Sequence, residues 1–241
     1  MDPTSSGDCD LRLGIRSVLS DLEVIIIYCE VLMKFLFALA LYLLLPVPGI
    51  LISVLTGSVV WQELDIYTGA SFLGIAAFTW FAAQLVLSSK PFAVDKVLGT
   101  QAFYRLHGLG ALLALSAAHG HWYLKAFVQG NEPSLQTLPG FLALNISLWI
   151  TIVAILFMGN HFPAPAKALK GLRSWVQAKW GWTYKGLRAF HSLSLVILLL
   201  LGIHILSAGS VRYSWITTVY MGMLLALGVI SYLRYRWRGR K

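Results

Sequence analysis

"FYRLHGLGALLALSAAHGHWYL", residues 103–124, is apolar enough to enter a bilayer, yet it carries three histidines, His107, His119 and His121. A hydrocarbon interior penalises polar side chains that lack a partner, so histidines within a membrane span mark a functional site by default. The reading of this stretch turns on whether a second span answers with histidines at the same depth.

The remainder of the chain is of the same apolar kind. Of its 241 residues 58% are hydrophobic and 12% charged, against about 25% charged in a soluble domain, which excludes an ordinary water-soluble fold. A run of about 20 apolar residues crosses the hydrocarbon core, and six are read, at 35–58, 66–88, 101–124, 139–159, 185–207 and 214–234. The expectation is an all-α membrane protein: a six-transmembrane-helix bundle over 35–234, preceded by an N-terminal segment 1–34 and followed by a basic tail 235–241. Pro46 and Pro48 interrupt the first run. A kinked single crossing competes with a helix ending at Leu45 and a short re-entrant piece, and the kink is preferred because residues 50–60 are too few to cross alone.

Before Val24 there is no apolar core, and acidic residues stand where a secretory signal needs basic ones, so no cleaved signal is expected. Leu11, Ile15, Val18 and Leu22 recur at helical spacing with Arg12 and Arg16 one position on. That pattern suits an amphipathic helix on the membrane surface, and equally a solvated helix leading into the first span.

Basic residues give the orientation. With both termini inside, the inner side collects 17 of the 19 Lys and Arg, and only Lys125 and Arg212 fall outside. The positive-inside rule then predicts an N-in, C-in protein. The net charge of +9 reports topology and contact with anionic membrane lipids, and no nucleic-acid motif accompanies it. Trp61, Tyr67, Trp122, Tyr123, Tyr213 and Trp215 fall at the predicted outer interface, as an aromatic belt does.

The fifth span, "YKGLRAFHSLSLVILLLLGIHILSAG" from Tyr184, answers the third. His191 and His204 are 13 residues apart, and His107 and His121 are 14 apart. Spans three and five run the same way across the bilayer, so His107 shares the inner level with His191, and His121 the outer level with His204. Two histidines at one depth on two helices make one axial ligand pair for haem iron. Levels roughly 20 Å apart leave room for two stacked haems between helices 3 and 5. Cys9 and Cys29 lie on the reduced inner side and no CxxCH is present, so the haems would be non-covalent b-type groups held by bis-histidine ligation.

At about 100° per residue, 14 residues return to within about 40° of the starting face, whereas His119 stands about 120° away from His107. His121 is therefore the expected ligand, and His119 is expected to pack or hydrogen-bond elsewhere. The 13-residue interval places His204 about 220° round from His191 on an ideal helix, which predicts a distortion near Gly202. His161, at the inner end of span four, reads as an interface residue.

The segments "LVLSSKPFAVDKVLGTQAFYRLHGLGALLALSAAHGHWYL" and "WTYKGLRAFHSLSLVILLLLGIH" resemble the ferric reductase-like transmembrane domain family, which includes ferric reductases and NADPH oxidases. The resemblance covers about residues 66–208 and rests on the Lys-Pro closing span two, the Tyr-Arg-Leu-His opening span three, and Tyr184 seven residues before His191. It implies six spans, with His107 and His191 on an inner haem and His121 and His204 on an outer one. Electrons would pass from a cytoplasmic flavin to an extracytoplasmic acceptor such as ferric iron, a flavin or a redox protein. Arg105, Lys185 and Arg188 lie close in sequence to the inner ligands, and Lys125 and Arg212 to the outer ones, as propionate partners or as interfacial cations.

Two departures from the family follow. Residues 235–241 contain nothing like the flavin- and NADPH-binding domains of oxidase members, so the donor is expected to be a separate cytoplasmic flavoprotein reductase carrying FMN or FAD. Oxygen-reducing members carry a histidine four residues after the outer ligand of span three and an arginine near the outer end of span two; here stand Lys125 and no arginine, which argues against superoxide production. The expected setting is a bacterial cytoplasmic membrane. Two other readings fit less of the pattern. One is a quinol-oxidising cytochrome b subunit, whose ligands would sit on spans two and four; the other is a non-redox transporter or scaffold using histidines as polar contacts.

Overall fold

A computed structural model describes residues 7–59, 65–89, 96–129, 134, 136–158, 165–181 and 184–238. Within these the regular elements are helical: α1 (Gly7–Leu44), α2 (Val47–Leu55), α3 (Ile66–Ser88), α4 (Thr100–Gln129), α5 (Leu138–Met158), α6 (Pro165–Trp180), α7 (Tyr184–His191), α8 (Ser194–Ser207), α9 (Gly209–Arg212) and α10 (Trp215–Arg238). Five stretches are long and apolar enough to cross a membrane: Tyr28–Leu55, Ile66–Ser88, Leu138–Phe157, Ala189–Ser207 and Trp215–Trp237. They make the chain an integral membrane protein. Its large apolar side chains at the surface, among them Phe37, Trp149, Ile203 and Met223, need a lipid neighbour for the same reason. The 30-residue α4 is not among the five, because its histidines and glycines dilute the hydropathy of an otherwise apolar helix.

The first crossing is kinked where the prolines stand. Helix α1 ends at Leu44 and α2 restarts at Val47, since Pro46 lacks the N–H that a continuing helix would bond. The amphipathic N-terminal segment is not a separate surface helix. From Gly7 its backbone runs without a break into the apolar part of α1.

Helix α3 is the most enclosed element. Asp65 caps its N-terminus, accepting from the Thr68 N–H at 2.7 Å, and the Ser88 and Ser89 hydroxyls bond back to Leu85 and Val86 carbonyls at its end. Its buried Ala70, Ala76, Ala77 and Ala82 let neighbouring backbones come close, the usual device where lipid offers no hydrophobic gradient. The chain enters α4 through Gly99 at φ +73°, a conformation that side-chain-bearing residues rarely adopt.

Helix α4 packs most extensively on α3, α5 packs on α8, and α10 lies against both α3 and α8. Phe78, Leu85, Leu198 and Met221 form the core where α3, α8 and α10 meet. Helices α8 and α10 approach through reciprocal notches: a Cβ on Gly202 would come within 2.7 Å of Leu225, and one on Gly228 within 2.7 Å of Leu198. Gly202 thus serves close packing inside an unbroken α8, and the distortion expected there lies elsewhere. Helices α4 and α8 are not among the closely packed pairs. The space between their backbones is spanned by histidine rings.

Candidate functional site

The rings meet in two pairs. His107 and His191 have ring centroids 6.1 Å apart with planes at 72°, and His121 and His204 have centroids 6.2 Å apart with planes at 67°. Because His107 meets His191 and His121, further along α4, meets His204, further along the α7–α8 rod, the two run parallel. An iron between two imidazole nitrogens at about 2 Å each, with about 1.1 Å more from nitrogen to ring centre, separates centroids by about 6.2 Å. Both pairs fit a bis-histidine haem iron on that measure. Among the described residues no three His, Cys, Asp or Glu converge, so the arrangement is one of pairs, unlike a tetrahedral zinc cage.

The outer pair has its tautomers fixed. Nδ1 of His121 lies 2.7 Å from the Ala70 carbonyl of α3, and Nδ1 of His204 lies 2.9 Å from the Gln136 carbonyl just before α5. A carbonyl oxygen only accepts, so each Nδ1 carries the proton and donates, which leaves the Nε2 lone pair for a metal. Glycines hold both rings in place: a Cβ on Gly74 would stand 2.8 Å from His121 Nδ1, and one on Gly140 2.9 Å from His204 Cγ. At the inner level Nδ1 of His107 lies 2.7 Å from the side-chain amide of Gln84. Nδ1 of His191 is buried with no hydrogen-bond partner among the described residues.

The awkward 13-residue interval is partly offset at Ser192–Leu193, where α7 ends before α8 begins. Ser192, Leu193 and Leu195 donate to the carbonyls of Ala189, Phe190 and Ser192, three residues back in each case. Such turns advance about 120° per residue and not 100°, which recovers about 60° of the mismatch of about 140°. His119 stays with its own helix, its Nδ1 2.9 Å from the Leu115 carbonyl.

The cations are arranged less simply. Lys125 Nζ sits 3.1 Å above the Tyr67 ring, a cation–π contact at the N-terminal end of α3. The Thr68 N–H holds the nearby Asp65 carboxyl below its ordinary range, and Lys125 adds a smaller push in the same direction. Arg105 and Arg212 are exposed. The side chains of Lys185 and Arg188, and the whole of His161 and Trp61, lie outside the described residues. Tyr123, Tyr213 and Trp215 of the expected aromatic belt are strongly exposed.

Sequence reading passed over Gln84, Tyr42, Gly74 and Gly140. A lone amide in the apolar run of α3 was a usable signal for Gln84. The carbonyls of Ala70 and Gln136 carry no side-chain signal at all. Compared with known families, curated proteins and solved structures, the chain matches none of them.

Proposed function

We propose that this chain is a transmembrane electron conduit that holds two b-type haems, one between His107 and His191 and one between His121 and His204. Electrons would enter from a cytoplasmic flavoprotein carrying FMN or FAD and leave to an extracytoplasmic acceptor such as ferric iron, a flavin or a redox protein. The observation that carries this reading is the ring spacing of 6.1 and 6.2 Å, repeated at two levels on parallel helices that otherwise keep apart. Chance helix–helix hydrogen bonding has no reason to produce the same gap twice. The likeness of the Tyr-Arg-Leu-His segment and of the Tyr184–His191 interval to the ferric reductase-like family supports it independently of the geometry.

Held by His107 with His191 and by His121 with His204, the haems would supply reversible one-electron chemistry and would carry electrons without binding substrate. The protein's own work is to hold and insulate. Ala70 and Gln136 carbonyls orient the outer rings, Gln84 meets one inner ring, and Gly74 and Gly140 leave the space those rings occupy. Between the two levels the histidine helices carry buried apolar residues, Ala114 and Ala117 on α4 and Ile197 and Leu198 on α8. On this reading α4 is the sixth span, its polar residues turned inward, with the inner level on the basic, cytoplasmic side. An inside-negative potential then favours outward electron flow by up to roughly 2.3 kcal/mol per charge per 100 mV. A bacterial cytoplasmic membrane is the proposed setting.

Pyridine haemochrome analysis of purified, haem-replete protein should count two haems per chain, with a low-spin bis-histidine spectrum. Haem-free protein under the same loading would return the histidines to the role of interhelical contacts.

A further inference from the structure

Gln84 is the buried amide of α3, 7% exposed. At the outer level both Nδ1 atoms find backbone carbonyls, whereas at the inner level His107 Nδ1 meets this side chain. Behind the amide stands Tyr42 of α1, whose hydroxyl is 2.7 Å from it. Tyr42 is itself anchored twice to α3: its hydroxyl reaches the Trp80 carbonyl at 3.2 Å, and the Trp80 indole N–H donates to the Tyr42 carbonyl at 3.0 Å. Gly110 of α4 makes the room, since a Cβ there would overlap the amide and come within 2.8 Å of the Tyr42 hydroxyl.

The two orientations of the amide differ in what they leave His107, and the first meets more of the pocket's donors and acceptors. With its nitrogen towards α4, it donates to His107 Nδ1 at 2.7 Å and to the His107 carbonyl at 3.0 Å, and its oxygen accepts from Tyr42. His107 Nδ1 is then an acceptor, its proton sits on Nε2, and no lone pair is left for a metal. Turned by 180°, the oxygen accepts the Nδ1 proton of His107, the nitrogen donates to Tyr42, and the Tyr42 hydroxyl passes its own proton to the Trp80 carbonyl. Nε2 is then free, while the amide oxygen also faces the His107 carbonyl at 3.0 Å and the nitrogen faces the Ala111 N–H at 3.3 Å, contacts that only the first orientation turns into hydrogen bonds.

We infer that Gln84, backed by Tyr42, is a positioning residue for the inner haem ligand, its amide oxygen taking the Nδ1 proton of His107 when Nε2 is committed to iron. This rests on the haem reading given above. The inner level thereby has an adjustable side-chain acceptor where the outer level has fixed carbonyls. An acceptor on Nδ1 makes the imidazole more basic and favours ferric iron, so it lowers the potential of the inner haem alone.

Redox titration of the haem-loaded full chain tests this with Gln84→Met, Gln84→Glu and Tyr42→Phe, each repeated in a His121→Ala background that keeps only the inner haem. Gln84→Met should raise one of the two midpoint potentials, leave the other in place, and weaken retention of the inner haem about 10-fold. Gln84→Glu should lower the same potential, and Tyr42→Phe should raise it by less than Gln84→Met does. Should Gln84→Met not fold, Tyr42→Phe carries the test. Two retained haems with both potentials unmoved, or moved together, would overturn the inference and leave the haem reading intact. Wild-type protein without low-spin haem would overturn the haem reading, and this inference with it.

Discussion

Ala70 and Gln136 give the outer histidines only a backbone oxygen, so the outer site's selectivity resides in which ring can reach it. His121 reaches Ala70 across to α3, while His119 is bonded within its own helix. His121→Ala should therefore remove one haem of the two, and His119→Ala should leave both; equal loss on haem quantification would refute the assignment. The space beside the ring matters as much as the ring. Gly74→Ala places a methyl 2.8 Å from His121 Nδ1, closer than any relaxed contact, so the ring must move. Retention of the outer haem should fall about 10-fold or more, visible as one haem lost during detergent exchange while the other stays. A two-haem Gly74→Ala protein would show that the notch is incidental. The cap of α3 adds a pH dependence whose sign is set by the lowered Asp65 carboxyl. Its contribution is complete above the ordinary carboxylate pKa and is lost as pH falls through the lowered folded value. Asp65→Asn should flatten that acid limb of the thermal melting curve.

The helical rods show what a sequence can and cannot convey. Pro46 and Pro48 announced the kink between α1 and α2, because the missing N–H and the ring clash act locally. The matching depth of His107 with His191 and of His121 with His204 was legible too, since rise per residue is nearly constant. Rotation was not. The overwound turn at Ser192–Leu193 has no glycine or proline to signal it, whereas Gly202 invited the distortion and instead serves packing against Leu225. Gln84 was missed because its partner Tyr42 lies 42 residues away in sequence, a distance over which no periodicity reports. The importance of rotation can be tested directly. One alanine inserted after Leu198 turns His204 by about 100° and lifts it about 1.5 Å, without touching His191. Spectroscopic titration should then find the inner haem retained and the outer one gone. Two haems of wild-type spectrum would show that the α8 register is not what holds the outer site.

At the scale of the whole molecule, the basic helix α6 lies next in the chain to the level of His107 and His191. The basic α6 spans Pro165–Trp180. It follows α5 and leads into α7, the helix that ends on His191, so it neighbours the inner level in the chain. Its cations do not all do the same work. Arg173 donates through Nε to the Leu156 carbonyl at 2.9 Å and ties α6 to α5, whereas Lys170 is exposed. A docking test should therefore spare Arg173. Reversing Lys167 and Lys170 to Glu should slow reduction of the haem-loaded chain by a soluble NADPH-dependent flavin reductase about 10-fold at low ionic strength. The difference should close at high salt, because steering between exposed charges is screened within about 10 Å at 0.1 M. Haem content, read in the same samples, should not change. NADPH alone should reduce the purified chain negligibly, since no glycine-rich nucleotide fingerprint follows a strand in these 241 residues. Rapid reduction by NADPH without added flavoprotein would overturn the assignment of a separate donor, and with it the role given to the basic face of α6.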